Sequence, residues 1–314
     1  MLNILNKFSE KRILVIGDVM LDRYVYGRVK RISPEAPVSV LDVTGTDEAL
    51  GGAGNVAANV ASLGAHCDLI GVVGNDPASG RVHSLMPGGV SCHLVTDTTR
   101  PTTVKERYVA TLHHTHLLRS DIESTEPITD KTEFLVRNEI ENRVRAADAV
   151  IVADYAKGVI TPLVLNTLYG ARKITVTNPR GSDSNRYFGT TYFCLNLGEL
   201  ERLTRSQSMW GEGDINRGVA ELRSRTGCDG AIVTNGEDGL TAVGRLTTHY
   251  AAEPVVVCDV SGAGDSVIAA ATLALASGAD IHTAGLIGNW AGGVAVSKAG
   301  TSRVSIGELR YKAS

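Results

Sequence analysis

The sequence predicts an α/β protein: a mostly parallel sheet covered by helices, with a second, smaller sheet inserted. Three observations carry this. Short β-branched runs recur along the chain, and stretches of helix formers separate them. Two glycine-rich turns, Gly51–Gly54 and Gly262–Gly264, each open a helix of small residues. Residues 23–50 and 100–120 instead alternate apolar and polar, as half-buried strands do.

The first run, Lys11–Asp18, is a buried strand with a polar tip, and such ends are where open α/β sheets hold ligands. Asp18 and Asp22 follow in Gly-Asp-Val-Met-Leu-Asp; they suit hydrogen bonds from a polyol, or are solvated loop charges. Tyr24–Val29 and Val38–Val43 alternate around a Ser33–Pro37 turn, and Thr102–Ala110 and His116–Arg119 also read as extended. These segments break the βαβ rhythm and are read as the small sheet, whose apolar face needs a cover. Next, Gly51 and Gly52 allow close backbone approach, or simply make a tight turn. Asn55 and Asn59, four apart, share one side of the helix that Gly64 ends. Strands are expected at 69–74, 149–155, 173–178, 192–196 and 231–234, with Asn75-Asp76-Pro77 starting a helix. Pro254–Cys258 reads as a last buried strand leading into the second glycine turn, and Gly278 closes the helix after it.

Composition narrows the function. The 314 residues carry a net charge of −3, which gives no reason to expect nucleic acid or a membrane surface as partner. No apolar run reaches the ~20 residues needed to span a bilayer, and no signal-peptide layout is seen. Five scattered cysteines without a Cys-x-x-Cys pair indicate neither zinc nor disulfides; several sit in apolar runs and are expected as reduced core residues, with the cytoplasm as compartment. His113, His114 and His116 lack a second ligand cluster, so a metal site there is not expected. The P-loop, the dinucleotide fingerprint and the nucleophile elbow are absent.

The turn Asp259–Ser266 is the most informative stretch. Amides at a helix start carry partial positive charge, and Gly262 and Gly264 let an anion approach them. Asp265 would repel that anion, which is explained if it handles a proton while phosphate charge moves nearby, or if it merely caps the helix. A parallel sheet gathers further strand-end polar residues on the same edge: Asp18, Asp154 with Lys157, Asn178 with Arg180, Asn196 with Glu199, and Asn235.

The two glycine turns, Gly51–Ala57 and Val260–Asp265, resemble the two signatures of the ribokinase-like (phosphofructokinase-B) sugar kinases, over nearly the whole chain. Within that superfamily the sequence is most similar to the heptose 7-phosphate kinases of lipopolysaccharide precursor synthesis. That likeness rests on Gly17–Tyr24, Arg31–Val38, Leu117–Arg119 and Asp154–Gly158. The resemblance implies one ribokinase-like three-layer domain over 1–314, with segments 23–50 and 100–120 as a β lid that pairs with a second copy. It implies phosphorylation by ATP, with Mg2+, of the anomeric hydroxyl of a heptose 7-phosphate, giving the 1,7-bisphosphate in ADP-heptose precursor synthesis. It leaves open whether a monovalent cation assists.

The resemblance also implies residue roles. Asp265 would be the base, and the amides of Gly262, Ala263 and Gly264 would hold the transferring phosphoryl group. Asn196, Leu197, Gly198 and Glu199 match the Asn-x-x-Glu element, Glu199 meeting the metal directly or through water. Thr234, Asn235, Gly236, Ser261 and Asn289 would border the nucleotide. Asp18, Asp22, Gly51, Gly52, Asn55 and Asp154 would hold the sugar, while Lys105, Arg119 and Lys157 would meet a phosphate already on it. In bacteria such kinases are often fused to a nucleotidyltransferase; this chain ends at Ser314 without one, and reads as a stand-alone kinase or as one cut from a longer chain. Three departures from the heptose pattern bear on the substrate: Asn178-Pro179-Arg180 for Asp-Pro-Lys, Cys194-Leu195-Asn196 for Thr-Pro-Asn, and His113–His116 for a glutamine-bearing segment. The rival expectations are a kinase for another sugar or a nucleoside, and a non-catalytic sugar-phosphate-binding regulator.

Overall fold

The computed structural model describes residues 1–112, 115–205, 211–298, 300 and 303–314. His113 and His114 therefore lie outside the described residues.

The elements follow the hydrophobic pattern in order. Helix α1 (Leu2–Asn6) leads into β1 (Arg12–Gly17), then the long antiparallel pair β2 (Val19–Ile32) and β3 (Ser39–Gly52). Helix α2 (Ala53–Ser62), β4 (His66–Val73), α3 (Pro77–Leu85) and β5 (Val90–Thr96) restore the βαβ rhythm. A second excursion brings β6 (Thr103–Ala110) and β7 (Thr115–Ile122). After α4 (Asp130–Arg143) come β8 (Ala149–Ala153), α5 (Pro162–Gly170), β9 (Ile174–Asn178), β10 (Tyr192–Asn196), α6 (Leu197–Thr204), α7 (Glu212–Thr226) and β11 (Gly230–Thr234). The hairpin β12 (Leu240–Val243) and β13 (Thr247–Tyr250) precedes α8 (Ala263–Ala276), α9 (Ile281–Val296) and α10 (Ile306–Lys312). Among the described residues no helix is long and apolar enough to cross a membrane.

The main sheet has the order β13-β12-β11-β10-β9-β8-β1-β4-β5. It is parallel from β11 to β5, and only the β12 and β13 pairings are antiparallel. Its strands are nearly continuous apolar runs because both faces are covered. Ile13 and Val15 of β1 pack with α2, α8 and α9 on one face. Leu14 and Ile16 join a second core with Val136 of α4, Leu165 of α5 and Val219 of α7. Chain order reverses between β1 and β8, and at such switch points the strand ends open a crevice for ligands.

The second sheet, β3-β2-β6-β7, arises because β2 and β3 run beyond the core. The buried half of β2, with Leu21 and Tyr24, gives way to exposed residues from Arg28 to Ile32.

One sequence expectation is corrected. Pro254–Cys258 forms no strand and is largely exposed. Apolar β-branched residues need a partner strand, and here the backbone turns to a helix instead: the Cys258 amide donates to Val296 O at the end of α9 (2.8 Å). Of the cysteines, Cys67, Cys194 and Cys228 are buried, Cys92 is half-buried and Cys258 is exposed.

Candidate active site

The two glycine turns meet at the carboxyl ends of β1 and β8. Each supplies a helix start with a positive φ that glycine adopts freely: Gly52 (φ 56°) before α2 and Gly262 (φ 76°) before α8. A Cβ on Gly52 would also lie 2.4 Å from Asp18 O, so the turn closes only with glycine. Gly264 differs: a Cβ there would meet no protein atom within 4 Å. Packing does not require this glycine, and what it leaves is open space at the first turn of α8.

Asp265 stands in that first turn, with both carboxylate oxygens held. Asn55 donates its side-chain amide to Oδ2 (2.7 Å), and the Tyr155 hydroxyl donates to Oδ1 (2.5 Å). Asn59 supports this from behind. Its amide donates to Asn55 O (3.0 Å), and its Oδ1 accepts from the Ser266 hydroxyl (3.0 Å) and the Val304 amide (3.1 Å). Burial pushes the Asp265 carboxyl up to about 6; the Tyr155 and Asn55 hydrogen bonds resist that rise, and Asp22 adds to it.

Two cavities abut here. The larger, about 520 Å³, lies between the turn after β11, the Ala252–Val257 segment and α9; Gly239, Gly292 and Gly293 keep its walls low. The second, about 340 Å³, is polar and holds Asp22, Lys105, Arg107, Arg180, Glu199 and Asp265 in its walls. Thr234 and Gly264 line both, so the open space at the start of α8 is where the two connect.

The placement of each expected residue can now be stated. Thr234, Gly236, Ala263 and Asn289 border the larger cavity, where the Asn289 amide also holds Ala251 O (2.8 Å). Gly52, Ser261, Gly262 and Asn196 line the polar one. Asn196 and Glu199 form a reciprocal capping box at the start of α6, with contacts of 2.8 and 2.9 Å. The other Glu199 oxygen pairs with Arg180 at 2.8 Å, and burial raises the Glu199 carboxyl. Lys105 faces the polar cavity while bound to Asp121 and Glu123, each at 3.2 Å.

Other expected residues are not brought into the polar cavity. Asp18 is buried, its oxygens accepting from the amides of Tyr155 (2.8 Å), Lys157 (3.1 Å) and Val159 (3.2 Å). Burial and the neighbouring Asp154 push the Asp18 carboxyl up to about 6. Asp154 accepts from the Ala156 amide (2.8 Å) and the Tyr187 hydroxyl (2.7 Å). Both carboxylates thus shape the loop after β8, and Asp18 also lines a small void there. Lys157 pairs with Glu123 (2.7 Å) beside a small void, and Arg119 is exposed on β7 next to Asp121. Gly51 packs against Asp22, Asn235 bonds Asp238, and Leu197 packs into the core on the α4–α7 side. Gly198, in the first turn of α6, borders neither cavity.

Sequence reasoning gave no role to Tyr155 or Arg107. Arg107 pairs with Asp22 (2.5 Å) and lies 5.2 Å from the Tyr24 ring centre. The departing residues Asn178, Arg180 and Cys194 all line the polar cavity. Asn178 donates to Cys194 O (3.1 Å), while Arg180 lies 6.0 Å from the Tyr155 ring centre.

Comparison with known proteins identifies the family and the fold. The profile of the pfkB family carbohydrate kinases matches residues 10–306. The bifunctional protein HldE of Bradyrhizobium diazoefficiens is 42% identical over 312 residues, covering 97% of this chain and 63% of that protein. The same-named protein of Caulobacter vibrioides is 41% identical over 315 residues, covering 98% and 64%. The chain thus spans somewhat under two thirds of the length of these relatives. Among solved structures, phosphofructokinase-2 from Escherichia coli superposes with a TM-score of 0.81 at 18% identity, covering 96% of this chain and 97% of that one. Arabidopsis thaliana ribokinase, solved with ribose and ATP, gives 0.74 at 16% identity, covering 96% and 98%.

Proposed function

The chain belongs to the pfkB family of carbohydrate kinases, and from that premise we propose that it transfers the γ-phosphate of ATP to a sugar already bearing a phosphate, namely the anomeric hydroxyl of a heptose 7-phosphate. The product would be the 1,7-bisphosphate that ADP-heptose precursor synthesis consumes. One observation carries the reading: an open cavity and a polar cavity connect at Gly264, and the polar one holds a carboxylate base together with three cations, Lys105, Arg107 and Arg180. Each cation is paired with a carboxylate, and the N–H donors they have left suit a phosphate on the sugar besides those of the nucleotide. The HldE relatives support the choice of a heptose.

In this reading the nucleoside takes the larger cavity, against Thr234, Gly236 and Asn289, and its phosphates point to the start of α8. The amides of Gly262, Ala263 and Gly264 then stabilise charge on the transferring group. Asp22 and Asp265 face the sugar, and Asp265 accepts the proton of the attacking hydroxyl as transfer proceeds in line, with no covalent enzyme intermediate. Among the described residues no group of three or more His, Cys, Asp or Glu could cage a metal. A Mg2+ ion would therefore be held by nucleotide phosphates and water, with Glu199 behind them, and would neutralise phosphate charge there. An ATP-dependent reaction on a sugar phosphate fits a cytoplasmic setting. A second copy of the chain would cover the small sheet, on which Val29, Ile32, Val43, Leu118 and Ile122 are exposed.

The test is ADP release across a panel of heptose, hexose and pentose phosphates, their unphosphorylated sugars, and nucleosides. The heptose 7-phosphate should give the highest kcat/KM. A nucleoside or free sugar turned over faster would overturn the substrate, and no turnover with any acceptor that binds would favour a regulator.

A further inference from the structure

We propose that Tyr155 is a positioning residue for the phosphoryl transfer: its hydroxyl holds Asp265 Oδ1 and, with Asn55 on Oδ2, fixes the carboxylate in the plane and the ionisation state that proton abstraction needs. The proposal rests on Asp265 being the base.

The case is geometric. A carboxylate at a helix start can rotate about its χ2 torsion, and one donor does not fix its plane. Donors on both oxygens do, and each oxygen keeps a second lone pair for an incoming hydroxyl. The two donors come from different parts of the fold, the first turn of α2 and the loop after β8, so the plane is set by the packing of both. The loop carrying Tyr155 is itself over-determined. Ala156 sits at φ 58°, a conformation rare for a residue with a Cβ. It is held there because Asp154 takes the Ala156 amide while Asp18 takes those of Tyr155, Lys157 and Val159. Gly158 seats the loop so close to Glu126 O that a Cβ there would lie 1.9 Å from it. Two buried carboxylates and a strained alanine are thus committed to placing one phenol. This gives Asp18 and Asp154, which stand outside the polar cavity at the sheet edge, a part in the site.

The charged and titratable surroundings of Asp265 come from several elements: Asp22 and Arg107 from the small sheet, Arg180 after β9, Cys194 on β10 and Glu199 on α6. Burial and the Asp265 charge hold the Tyr155 phenol well above its ordinary range, so it remains a donor wherever the enzyme works. Its hydrogen bond opposes the rise that burial imposes on Asp265. Phenylalanine keeps the ring beneath Arg180 and removes only the donor.

The experiment follows Asp265 directly in the full chain, by NMR of 13Cγ-labelled aspartate, with the signal assigned by its loss in Asp265→Asn. In Tyr155→Phe the Asp265 titration should move to higher pH. kcat for ATP with D-glycero-D-manno-heptose 7-phosphate should fall by about ten- to a hundredfold, the factor a hydrogen bond to a charged group carries, with KM for ATP little changed. Replacing Tyr155 by 3-fluorotyrosine, a stronger donor of nearly the same shape, should move the titration to lower pH, and it covers the case of a phenylalanine variant that does not fold. An Asp265 titration unmoved in both variants overturns the proposal, whatever happens to kcat. Wild-type turnover in Asp265→Asn would instead remove the base assignment on which it rests.

Discussion

The Asn55 side-chain amide donates to Asp265 Oδ2 across 2.7 Å, joining the two glycine turns although 210 residues separate them. One turn presents the start of α2 and the other the start of α8, and the pair is drawn together by α2 packing on α8. The first prediction concerns this junction. Asp265→Asn keeps the shape of the side chain and removes its basicity. It should lower kcat by roughly 10²–10⁴, the usual contribution of a positioned base, and leave KM for ATP almost unchanged. Steady-state kinetics with ADP detection check this, and wild-type turnover would exclude Asp265 as the base.

The pH profile follows from the same carboxylate. Burial pushes Asp265 up to about 6, and only its ionised form can accept a proton. A raised carboxyl pKa means that protonation, and loss of activity, set in earlier on acidification than for an ordinary aspartate. kcat/KM should be flat above pH 7 and fall about tenfold per unit well below 6. A profile still flat at pH 5 would contradict the assignment. Asp18, also pushed up to about 6, adds an opposite trend in stability. The folded chain holds that proton more tightly than the unfolded one between the ordinary 3.8 and about 6, so this group lowers stability as pH rises through the window. Through these two residues acidification should therefore cost activity without costing stability.

Gly264→Ala separates ligand space from packing. A Cβ at 264 meets no protein atom within 4 Å, and alanine is favoured over glycine in a helix by about 1 kcal/mol. The variant should be as stable as the parent or slightly more so, yet turn over at least about tenfold more slowly, because the methyl group projects into the passage between the cavities. Thermal unfolding alongside kcat/KM checks both halves. Parental kinetics would mean that no reacting group passes there.

Asp18→Ala tests the loop after β8. It leaves the amides of Tyr155, Lys157 and Val159 without their acceptor, and unsatisfied buried donors cost about 1–3 kcal/mol. Urea unfolding should show a loss of that order, and kcat should fall as Tyr155 moves. A fully stable and active variant would show that the loop needs no such support.

How far the sequence reveals this site depends on whether a residue's neighbours are local. The parallel strands and both glycine turns are legible because periodicity and glycine spacing are local signals. Asp265 draws attention because its charge conflicts with a helix start that suits an anion, eight residues after Val257. Pro254–Cys258 misleads because β-branching signals extended backbone but not whether a partner strand exists. Asp18 is ambiguous for a related reason: a strand-end carboxylate can serve a ligand or backbone amides, and the three amides that bond it come from a loop over 130 residues away. Arg107 is hidden because its place depends on the parallel pairing of β2 with β6, which sets Asp22 beside Lys105 and Tyr24 beside Arg107. No composition or spacing announces that register.

Arg107 therefore supplies the prediction that bears most on the substrate. It lines the polar cavity, pairs with Asp22 at 2.5 Å and lies against Tyr24, so its guanidinium is held in place before any ligand arrives. Preorganised arginine suits a phosphate dianion through paired N–H donors, whereas a lysine offers only a point charge. Arg107→Lys should raise KM for a phosphorylated acceptor by about tenfold or more and leave KM for ATP within about twofold, as loss of a charge-assisted hydrogen bond at one subsite predicts. The unphosphorylated sugar, a poor acceptor in both proteins, should respond far less. If both acceptors weakened equally, Arg107 would be acting through Asp22 on the sugar ring, and the acceptor phosphate would have to be met by Lys105 or Arg180.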